Sequence, residues 1–562
     1  FQQAWQTHYG EPWVAPHTSV AAQWKASLLK YQLYYDALRE VFDHVKRRGA
    51  EQGLDIACHV PTHSLINYAH WRIVNPMSRL MDLENCDGYI AQVWTGTART
   101  PNHYRGTLRE RTFETAFFEY GQMLGMVRPS GRRVWFLHDP IEDNPNHTWA
   151  DYKLNYEATV IASLLWPEVH DYEVMPWPNR IFNRDYPTGD GDERGPIPPE
   201  YATQVLSIAN ALADMDQPDV AYDTGSRGLG ILVSDSLMFQ RAEPDPSDEH
   251  FGSFSGLAMP LLKRGVPLAP VQLEQVTLPG NLDPYRLLML TFEGQKPLKR
   301  EHLEALSDWV RAGGLLLYAG NGTDPYHAVP AWWNEDGTTT RRADEALFEV
   351  LGLEDMPAAR TIVTRGEGAV YWLDASPAAL SEDPEGDQVV ADEVDALLAH
   401  ADAALETQHY LHIRRGPYHV VAVLDETEAG QSFELPGRYV DLFDAALPVR
   451  VDPTFAPGQR ALLRALPDTT PDAAPSVLAA GARVRDMAHD SDTVRFALRG
   501  PARTTAAVRV RLPHAPQQIV ASDQAVSGYT WDPESHTVFF TLPNRAAPVH
   551  VQIALAPLES GV

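Results

Sequence analysis

The chain has 562 residues, of which 44% are hydrophobic and 22% charged, so it is too apolar for a disordered protein and long enough for roughly three or four domains. Its formal net charge of −29, from 75 acidic and 46 basic residues, excludes nucleic acids and anionic membranes as favoured partners and favours neutral substrates. The sequence contains no apolar run long enough to span a membrane and no signal-peptide pattern, so we expect a soluble protein, cytoplasmic or secreted.

Helix-like and strand-like segments alternate through the first 213 residues. The strand-like runs cover residues 54–60, 87–94, 133–138 and 172–176, and the helix-like segments cover residues 24–53, 112–127, 152–165 and 200–213. Such alternation is typical of βαβ units around a parallel sheet. A (β/α)8 barrel needs eight strands, and four precede the change of composition at residues 182–199. We therefore predict the C-terminal half of a (β/α)-barrel over residues 1–215.

A second alternation predicts a flavodoxin-like α/β domain over residues 225–400. Its strands are predicted at residues 230–234, 285–292 and 314–319, and its helices at residues 252–264 and 299–312. The acidic, proline-rich residues 374–387 suggest an exposed connector. No cysteine follows Cys86 and no glycine-rich phosphate motif is present, so we expect no thiol nucleophile and no cofactor in this domain.

The remainder of the chain shows short alternating runs, which are typical of all-β C-terminal domains. We predict a small antiparallel β domain over residues 405–466 and, after a linker of proline, threonine and alanine, a β-sandwich over residues 477–562. The overall fold class is therefore α/β followed by all-β domains.

Three segments carry a resemblance to a known family. The opening FQQAWQTHYGEPW, the long helix into LDIACHV, and CDGYIAQVW resemble the segment after the acid/base strand in the β-galactosidases of glycoside hydrolase family 42. The resemblance covers roughly residues 1–319 and implies a barrel, a flavodoxin-like domain of the trimerisation type and a β domain. It implies a retaining glycosidase with a carbohydrate substrate and a homo-oligomer with subunit contacts in the flavodoxin-like domain. The family's acid/base glutamate lies upstream of the match to Phe1, so we expect that residue outside this chain.

The resemblance also suggests the nucleophile, a glutamate at the end of the seventh barrel strand in that family. The corresponding run here is VWFLHDPIEDNPNHTW, which puts Asp139 at the glutamate position and Glu142 three residues later. An aspartate side chain is one methylene shorter. Either the strand end sits differently, or Glu142 has taken the role, or hydrolysis has been lost.

Strand-end carboxylates suit glycoside hydrolysis, which uses two carboxyl groups, about 5–5.5 Å apart when one of them is the nucleophile. Asp139 is the first candidate as nucleophile or charge stabiliser and Glu142 the second. The alternative is a solvated acidic turn, because Pro140 and the Asp143–Pro145 run are typical turn residues.

Aromatic residues indicate the substrate class. Nine of the fourteen tryptophans fall in the first third of the chain, and sugar rings stack on indoles through their C–H faces. Trp94, Trp149 and Trp177 lie at or just beyond predicted strand ends and are candidates for a sugar-binding wall, with core packing as the alternative. His138 is a further candidate for substrate binding.

Polar residues in two loops are weaker candidates for contacts to sugar hydroxyls. They are His63 and Asn67 after the first strand, and His103 and Tyr104 in the loop after the second, with ordinary surface placement as the alternative. We predict no metal site, because Pro61 interrupts any helix that would align His59 with His63. Glu114 and Glu119 are predicted to lie on a solvated helix face.

The sequence supports two main functions and a weaker third. The first is a retaining, β-galactosidase-like hydrolase of a glycan or oligosaccharide. The second is a catalytically inactive carbohydrate-binding protein on the same scaffold, which the aspartate at the glutamate position favours. The third is an assembly protein, supported only by the β-rich C-terminal part.

Overall fold

The structure is a computed structural model. It describes residues 1–142, 146–175, 177–189, 193–248, 250–353, 356–427, 430–466 and 474–556. The chain forms two compact units: one comprises Phe1–Val93, Thr97–Phe136 and Thr224–Gln408, and the other comprises Trp94–Gly96, Leu137–Asp223 and the chain from His409 onward. Within the described residues, no helix is both long and apolar enough to cross a membrane.

A four-stranded sheet follows the order in which its strands occur in the chain. The strands are His59–Thr62, Gly88–Gln92, Arg133–His138 and Tyr172–Val174. The first two pair in parallel, with His59 opposite Gly88. The third strand begins in the first unit and ends in the second, where the Met175 N–H donates to the His138 carbonyl at 2.7 Å.

The last three strands lie where the apolar runs predict them, whereas the first begins at His59, five residues after the start of the predicted run 54–60. Within the described residues their sheet is not a closed barrel. In the first unit the accompanying helices are Gln2–Tyr9, Val20–Glu51, Leu65–Trp71 and Thr112–Val127, and a short hairpin is formed by Asn102–Tyr104 and Thr107–Arg109. Cys58 and Cys86, just before the first two strands, are buried free thiols.

The helix Thr112–Val127 corrects one prediction. Every residue of this helix is buried, including Glu114 and Glu119, which the sequence placed on a solvated face. Glu114 forms a buried ion pair with Lys263. Burial raises the pKa of Glu119 to about 8, because an ionised carboxylate is costly away from water. Periodicity alone did not reveal this burial, since both carboxyl groups have polar partners supplied from distant parts of the chain.

The first unit also contains a six-stranded sheet with helices packed against it. In spatial order the strands are Ala269–Gln272, Leu229–Val233, Leu287–Leu290, Leu315–Ala319, Gly368–Leu373 and Ile362–Arg365, and the helices of this region are Gly252–Leu262, Arg300–Arg311, Ala343–Val350, Pro377–Glu382 and Gly386–Ala399. Only the edge strand Ile362–Arg365 is antiparallel. The parallel strands are almost wholly buried, which explains their continuous apolar runs.

Residues 374–387 are not the exposed connector that their composition suggested. They include the helix Pro377–Glu382, which packs against the helix Gly252–Leu262. The contact is close because Gly256 has no side chain: a Cβ there would lie 1.8 Å from the Pro377 carbonyl oxygen. Most acidic residues of this segment are exposed, whereas Leu380 is buried. The acidic composition therefore did not indicate that one face of the segment packs inside the unit.

The second unit begins with helices around the end of the strand Arg133–His138. The helices are Trp149–Leu164, Pro178–Asn183 and Pro199–Leu212. Two strands of two residues each, Tyr186–Pro187 and Arg194–Gly195, pair in antiparallel orientation. A capping box starts the first helix: the Thr148 hydroxyl accepts from the Asp151 N–H, and the Asp151 carboxylate accepts from the Thr148 N–H at 3.0 Å. This cap sets the helix start directly after the acidic loop.

A six-stranded antiparallel sheet follows in the same unit. Its strands in spatial order are Val449–Val451, Arg438–Asp441, Arg460–Ala465, Tyr418–Val423, Tyr410–Arg415 and Val220–Asp223, and the short strands Phe433–Glu434 and Thr454–Phe455 pair beside it. The strand Val220–Asp223, which the sequence did not predict, pairs with Tyr410–Arg415.

Two further antiparallel sheets share one apolar core. One has the order Ser476–Ala480, Thr505–Arg511, Thr537–Pro543, Tyr529–Asp532, and the other has the order Arg483–His489, Thr493–Arg499, Val549–Leu555, Pro516–Ala521, Gln524–Ala525. Val508 from the first sheet and Ile553 from the second are both fully buried in this core. The alternation of buried and exposed residues along these strands is the period-two pattern visible in the sequence.

Candidate active site

The end of the strand Arg133–His138 carries the two carboxylates that the sequence singled out. Asp139 follows the last strand residue, and its Oδ1 accepts the Ile141 N–H at 3.2 Å, which makes a tight turn at Pro140. The Thr95 hydroxyl donates to the Asp139 carbonyl oxygen, and the Tyr201 hydroxyl donates to the Pro140 carbonyl oxygen at 2.5 Å. These two bonds fix the backbone of the turn in the second unit.

Asp139 lies in an environment that favours its neutral form. The residue is 7% exposed, and burial raises the pKa of its carboxyl from 3.8 to about 8. The Ile141 N–H and the positive charge of Arg180 oppose this rise, whereas the negative charge of Glu142 adds to it. At neutral pH the Asp139 carboxyl therefore retains its proton.

Glu142 is 6% exposed. Its Oε2 lies 2.7 Å from His147 Nδ1. Gly96 leaves room for the same side chain, because a Cβ at Gly96 would lie 2.7 Å from Glu142 Oε1. Asp143 to Pro145, part of the predicted turn, lie outside the described residues.

The three candidate tryptophans differ in what they present to solvent. Trp177 is 60% exposed at the start of the helix Pro178–Asn183, and Trp94 is partly exposed. Trp149 is 3% exposed, and its indole N–H donates to the Gly195 carbonyl at 3.0 Å. Trp149 therefore packs within the unit, which was the alternative interpretation for these residues, and Trp177 offers the largest free indole face of the three.

His138 is part of the interior and has no surface to offer a ligand. Its side chain is fully buried, its Nε2 lies 2.7 Å from the Ser163 hydroxyl, and its ring contacts Tyr156 and Tyr172. Burial lowers the pKa of this imidazole to about 3, so the ring is neutral. The role of His138 in the structure is to anchor the strand to the helix Trp149–Leu164.

The four remaining candidates belong to the first unit, whereas Asp139 and Glu142 belong to the second. His63 is 6% exposed, and burial lowers its pKa to about 4. Asn67 is fully buried and donates through Nδ2 to Glu119 Oε1 at 3.5 Å.

His103 and Tyr104 lie on the short hairpin of that unit. The His103 ring lies 5.1 Å from the ring of His250, and the Tyr104 hydroxyl donates to Asp387 Oδ2 at 3.1 Å. Tyr104 is 3% exposed, so its phenol serves packing within the first unit. In the described part of the chain, no group of three or more His, Cys, Asp or Glu residues is arranged to hold a metal ion.

The sequence did not single out three residues that shape this site. His147 lies five residues after Glu142, in the same loop, and the presence of a histidine so close to the carboxylates was an available signal. Thr95 directly follows the candidate Trp94, and this position in the sequence was also an available signal. Tyr201 lies 61 residues from the carbonyl that it contacts, so nothing local in the sequence could identify it.

No protein-family model and no curated protein matches the chain. Solved structures similar to it include a catalytic mutant of Gan42B, a GH42 β-galactosidase from G. stearothermophilus, at 12% identity over 83% of this chain and 73% of that one, with a TM-score of 0.46. A β-galactosidase from Bacillus circulans sp. alkalophilus is 9% identical over 83% and 74%, also with a TM-score of 0.46. A rhamnosidase from Novosphingobium sp. PP1Y is 11% identical over 99% and 55%, with a TM-score of 0.41.

Proposed function

We propose that this chain is a retaining glycoside hydrolase of the β-galactosidase type, acting on a glycan or oligosaccharide, with Glu142 as nucleophile. Asp139 is proposed as proton donor, in place of the upstream acid/base glutamate that the family resemblance implies, because its carboxyl group retains its proton. The observation that carries the proposal is a pair of carboxyl groups at one strand end, one of which is kept protonated by burial. Burial keeps the proton on Asp139, and Glu142 is hydrogen bonded to His147. Glycoside hydrolysis uses two carboxyl groups, and a buried carboxyl group that retains its proton suits the role of the acid.

The proposed reaction has two steps. Glu142 attacks the anomeric carbon while the Asp139 proton passes to the departing oxygen, which leaves a glycosyl ester on Glu142 and an ionised Asp139. Water then attacks the same carbon, Asp139 takes a proton from it, and Glu142 departs as a carboxylate. Trp177, with its exposed indole, and Trp94 are proposed to stack on the apolar faces of the sugar. His63, Asn67, His103 and Tyr104 belong to the first unit, and the proposal gives them no part in binding this substrate.

We further propose that the four-stranded sheet is the C-terminal half of a (β/α)-barrel and that the six-stranded, mainly parallel sheet belongs to a flavodoxin-like domain. Parallel pairing of strands that follow one another along the chain supports the first assignment. The second is supported by the order of the strands at residues 269–272, 229–233, 287–290 and 315–319, in which the first strand in the chain lies between the second and the third. The resemblance implies a homo-oligomer with subunit contacts in this domain, and light scattering tests for the oligomer by measuring the molar mass in solution.

Two substrates with different leaving groups separate the proposed roles. The first is 4-nitrophenyl β-galactoside, whose leaving group departs without protonation, and the second is lactose, whose leaving sugar needs a proton. We expect Glu142→Ala to lower kcat at least about a thousandfold on both substrates. We expect Asp139→Asn to lower kcat about a hundredfold or more on lactose but much less on the nitrophenyl substrate.

The exposed carboxylate of Glu173 provides a matched control, and Glu173→Gln should leave both rates unchanged. Added formate should restore part of the nitrophenyl rate in Glu142→Ala, since a small external carboxylate fits the space of the missing side chain. The wild-type kcat/KM on lactose should fall above about pH 8, where Asp139 loses its proton. Equal rates in wild type and Glu142→Ala would disprove the proposal.

The catalytically inactive carbohydrate-binding protein stays the second candidate. The observation that favours it is the aspartate at the glutamate position, together with the burial of that side chain. In this case calorimetric titration with lactose would show saturable binding to the wild type without any hydrolysis of either substrate.

A further inference from the structure

A cleft of about 700 Å³ lies within the second unit and is separate from the candidate active site. One wall is the exposed face of the helix Trp149–Leu164, and the opposite wall is formed by the strands Arg438–Asp441 and Arg460–Ala465 with the residues that follow the first of them. Neither Asp139 nor Glu142 lines it. Ligand-binding clefts have volumes of roughly 300–1,000 Å³, so the cleft is large enough for an oligosaccharide.

The helix wall presents an ion pair and an apolar side chain. Lys153 Nζ lies 2.7 Å from Glu157 Oε1, and Gln204 Nε2 donates to the same oxygen at 2.6 Å. Leu154, between them along the chain, is 61% exposed. The charges are therefore compensated locally, while the Glu157 carboxylate retains acceptor capacity for further donors.

The sheet wall also presents an ion pair. Arg450 Nε donates to Asp441 Oδ2 at 2.7 Å, and Arg450 Nη2 lies 3.8 Å from Asp444 Oδ2. The Arg450 side chain is 46% exposed, so part of its planar guanidinium faces solvent. Phe443 and Phe455 line the cleft between the walls, and each is 8% exposed.

The charges and the apolar side chains of the cleft favour one class of ligand. The cleft has four acidic and three basic side chains, so it offers no excess of positive charge to an anion, and apolar side chains line it as well. A neutral sugar matches both properties: its hydroxyls donate to carboxylates and accept from a guanidinium, and its C–H faces cover small apolar patches. We propose that this cleft is a secondary binding site for neutral oligosaccharides, with Glu157, Asp441 and Arg450 as the principal polar contacts.

The proposal goes beyond the hydrolase function and does not depend on it, because different residues form the two sites. The test uses the full chain on an array of immobilised neutral oligosaccharides beside sialylated and sulfated ones, followed by calorimetric titration with the best neutral ligand. Thr454→Trp places a large ring in the cleft from an exposed position, and Arg450→Ala removes the guanidinium. Arg495→Ala, at an exposed ion pair with Asp490 elsewhere in the unit, is the matched control.

We expect Arg495→Ala to bind neutral oligosaccharides like the wild type, and Thr454→Trp and Arg450→Ala to bind them at least tenfold more weakly. Circular dichroism confirms folding, and the exposed position of Arg450 keeps this variant informative if Thr454→Trp misfolds. The proposal is overturned if no neutral oligosaccharide binds, if only anionic ones bind, or if binding is lost with Glu142→Ala and kept with Arg450→Ala. The last result would assign the sugar to the candidate active site instead.

Discussion

Asp235 in the first unit and Asp139 in the second are both buried carboxyl groups that follow a strand, and they differ in the number of hydrogen bonds that they accept. In the first unit, Asp235 accepts from the Tyr31 hydroxyl at 2.6 Å, the Ser78 hydroxyl at 2.8 Å and Gln272 Nε2 at 3.0 Å, and the neighbouring Glu274 accepts from Ser234 at 2.6 Å. These acceptors are saturated, which is typical of a structural network.

Asp139, in the second unit, accepts fewer hydrogen bonds than Asp235. The Asp139 carboxyl accepts the Ile141 N–H, and Glu142 is paired with His147. Burial raises the pKa of Asp139 and of Asp235 alike, but several hydrogen bonds to the ionised form oppose the rise at Asp235. Burial alone therefore does not mark a reactive carboxylate, because the hydrogen bonds that the carboxyl group accepts differ between Asp235 and Asp139.

The largest expected effect tests the structural site. Asp235→Ala should destabilise the first unit by about 3–5 kcal/mol, because the buried hydroxyls of Tyr31 and Ser78 lose their acceptor. Asp139→Ala removes one backbone hydrogen bond and should cost only about 1–2 kcal/mol. Urea unfolding followed by tryptophan fluorescence measures both. Equal losses would remove the distinction between the two strand ends.

The next effect is the pH dependence of stability. The folded-state pKa of Asp139 is about 8 and its ordinary value is 3.8, so between these values the folded chain binds one proton more than the unfolded chain. The contribution of this proton to the free energy of unfolding is fully present below about pH 4, declines as pH rises, and is lost above about pH 8.

The Asp139→Asn variant cannot ionise at this position, so its stability should fall less steeply than that of the wild type across this range, by up to a few kcal/mol in total. Urea midpoints at pH 5, 6, 7 and 8 measure the difference. The exposed Glu173→Gln variant should follow the wild-type curve. Parallel curves for Asp139→Asn and wild type would show that Asp139 is ionised in the folded chain at neutral pH.

A smaller effect refines the structural side of the comparison. Tyr31→Phe removes one hydrogen bond to Asp235 and should cost about 1.5–3 kcal/mol, the range for hydrogen bonds to charged groups. Tyr34→Phe on the same helix is the matched control, because Tyr34 is 54% exposed and should contribute almost nothing. A loss below 0.5 kcal/mol in Tyr31→Phe would mean that the remaining donors satisfy Asp235 without it.

Much of the sheet framework was predictable from the sequence. Continuous apolar runs identify buried parallel strands such as Leu287–Leu290 and Leu315–Ala319, because both faces of these strands are covered. The strand Val220–Asp223 could not be predicted, since it pairs with residues 410–415 and has no buried apolar run of its own. The helix Gly386–Ala399 was missed because the acidic residues before it suggested a connector.

The candidate site was predictable to a similar extent. Position after an apolar strand identifies Asp139, and the short spacing to Glu142 follows from the same run. The buried placement of His138 and Trp149 was not predictable, because the sequence does not show that Ser163 and the Gly195 carbonyl provide their partners. Long-range polar contacts of this kind decide between an exposed binding residue and an internal one.

The smallest effect concerns the loop that carries Glu142 and His147, which ends at the capping box of Thr148. Thr148→Ala should cost about 1 kcal/mol, typical for the loss of an N-cap side chain. Ser19→Ala removes a comparable cap from the helix Val20–Glu51 in the first unit. Both variants should lose similar stability, but Thr148→Ala should also lower kcat on lactose severalfold, because the His147 and Glu142 pair is anchored at this helix start. Equal kcat in the two variants would show that the loop keeps its geometry without the cap, and that the carboxylate pair depends on the strand end alone.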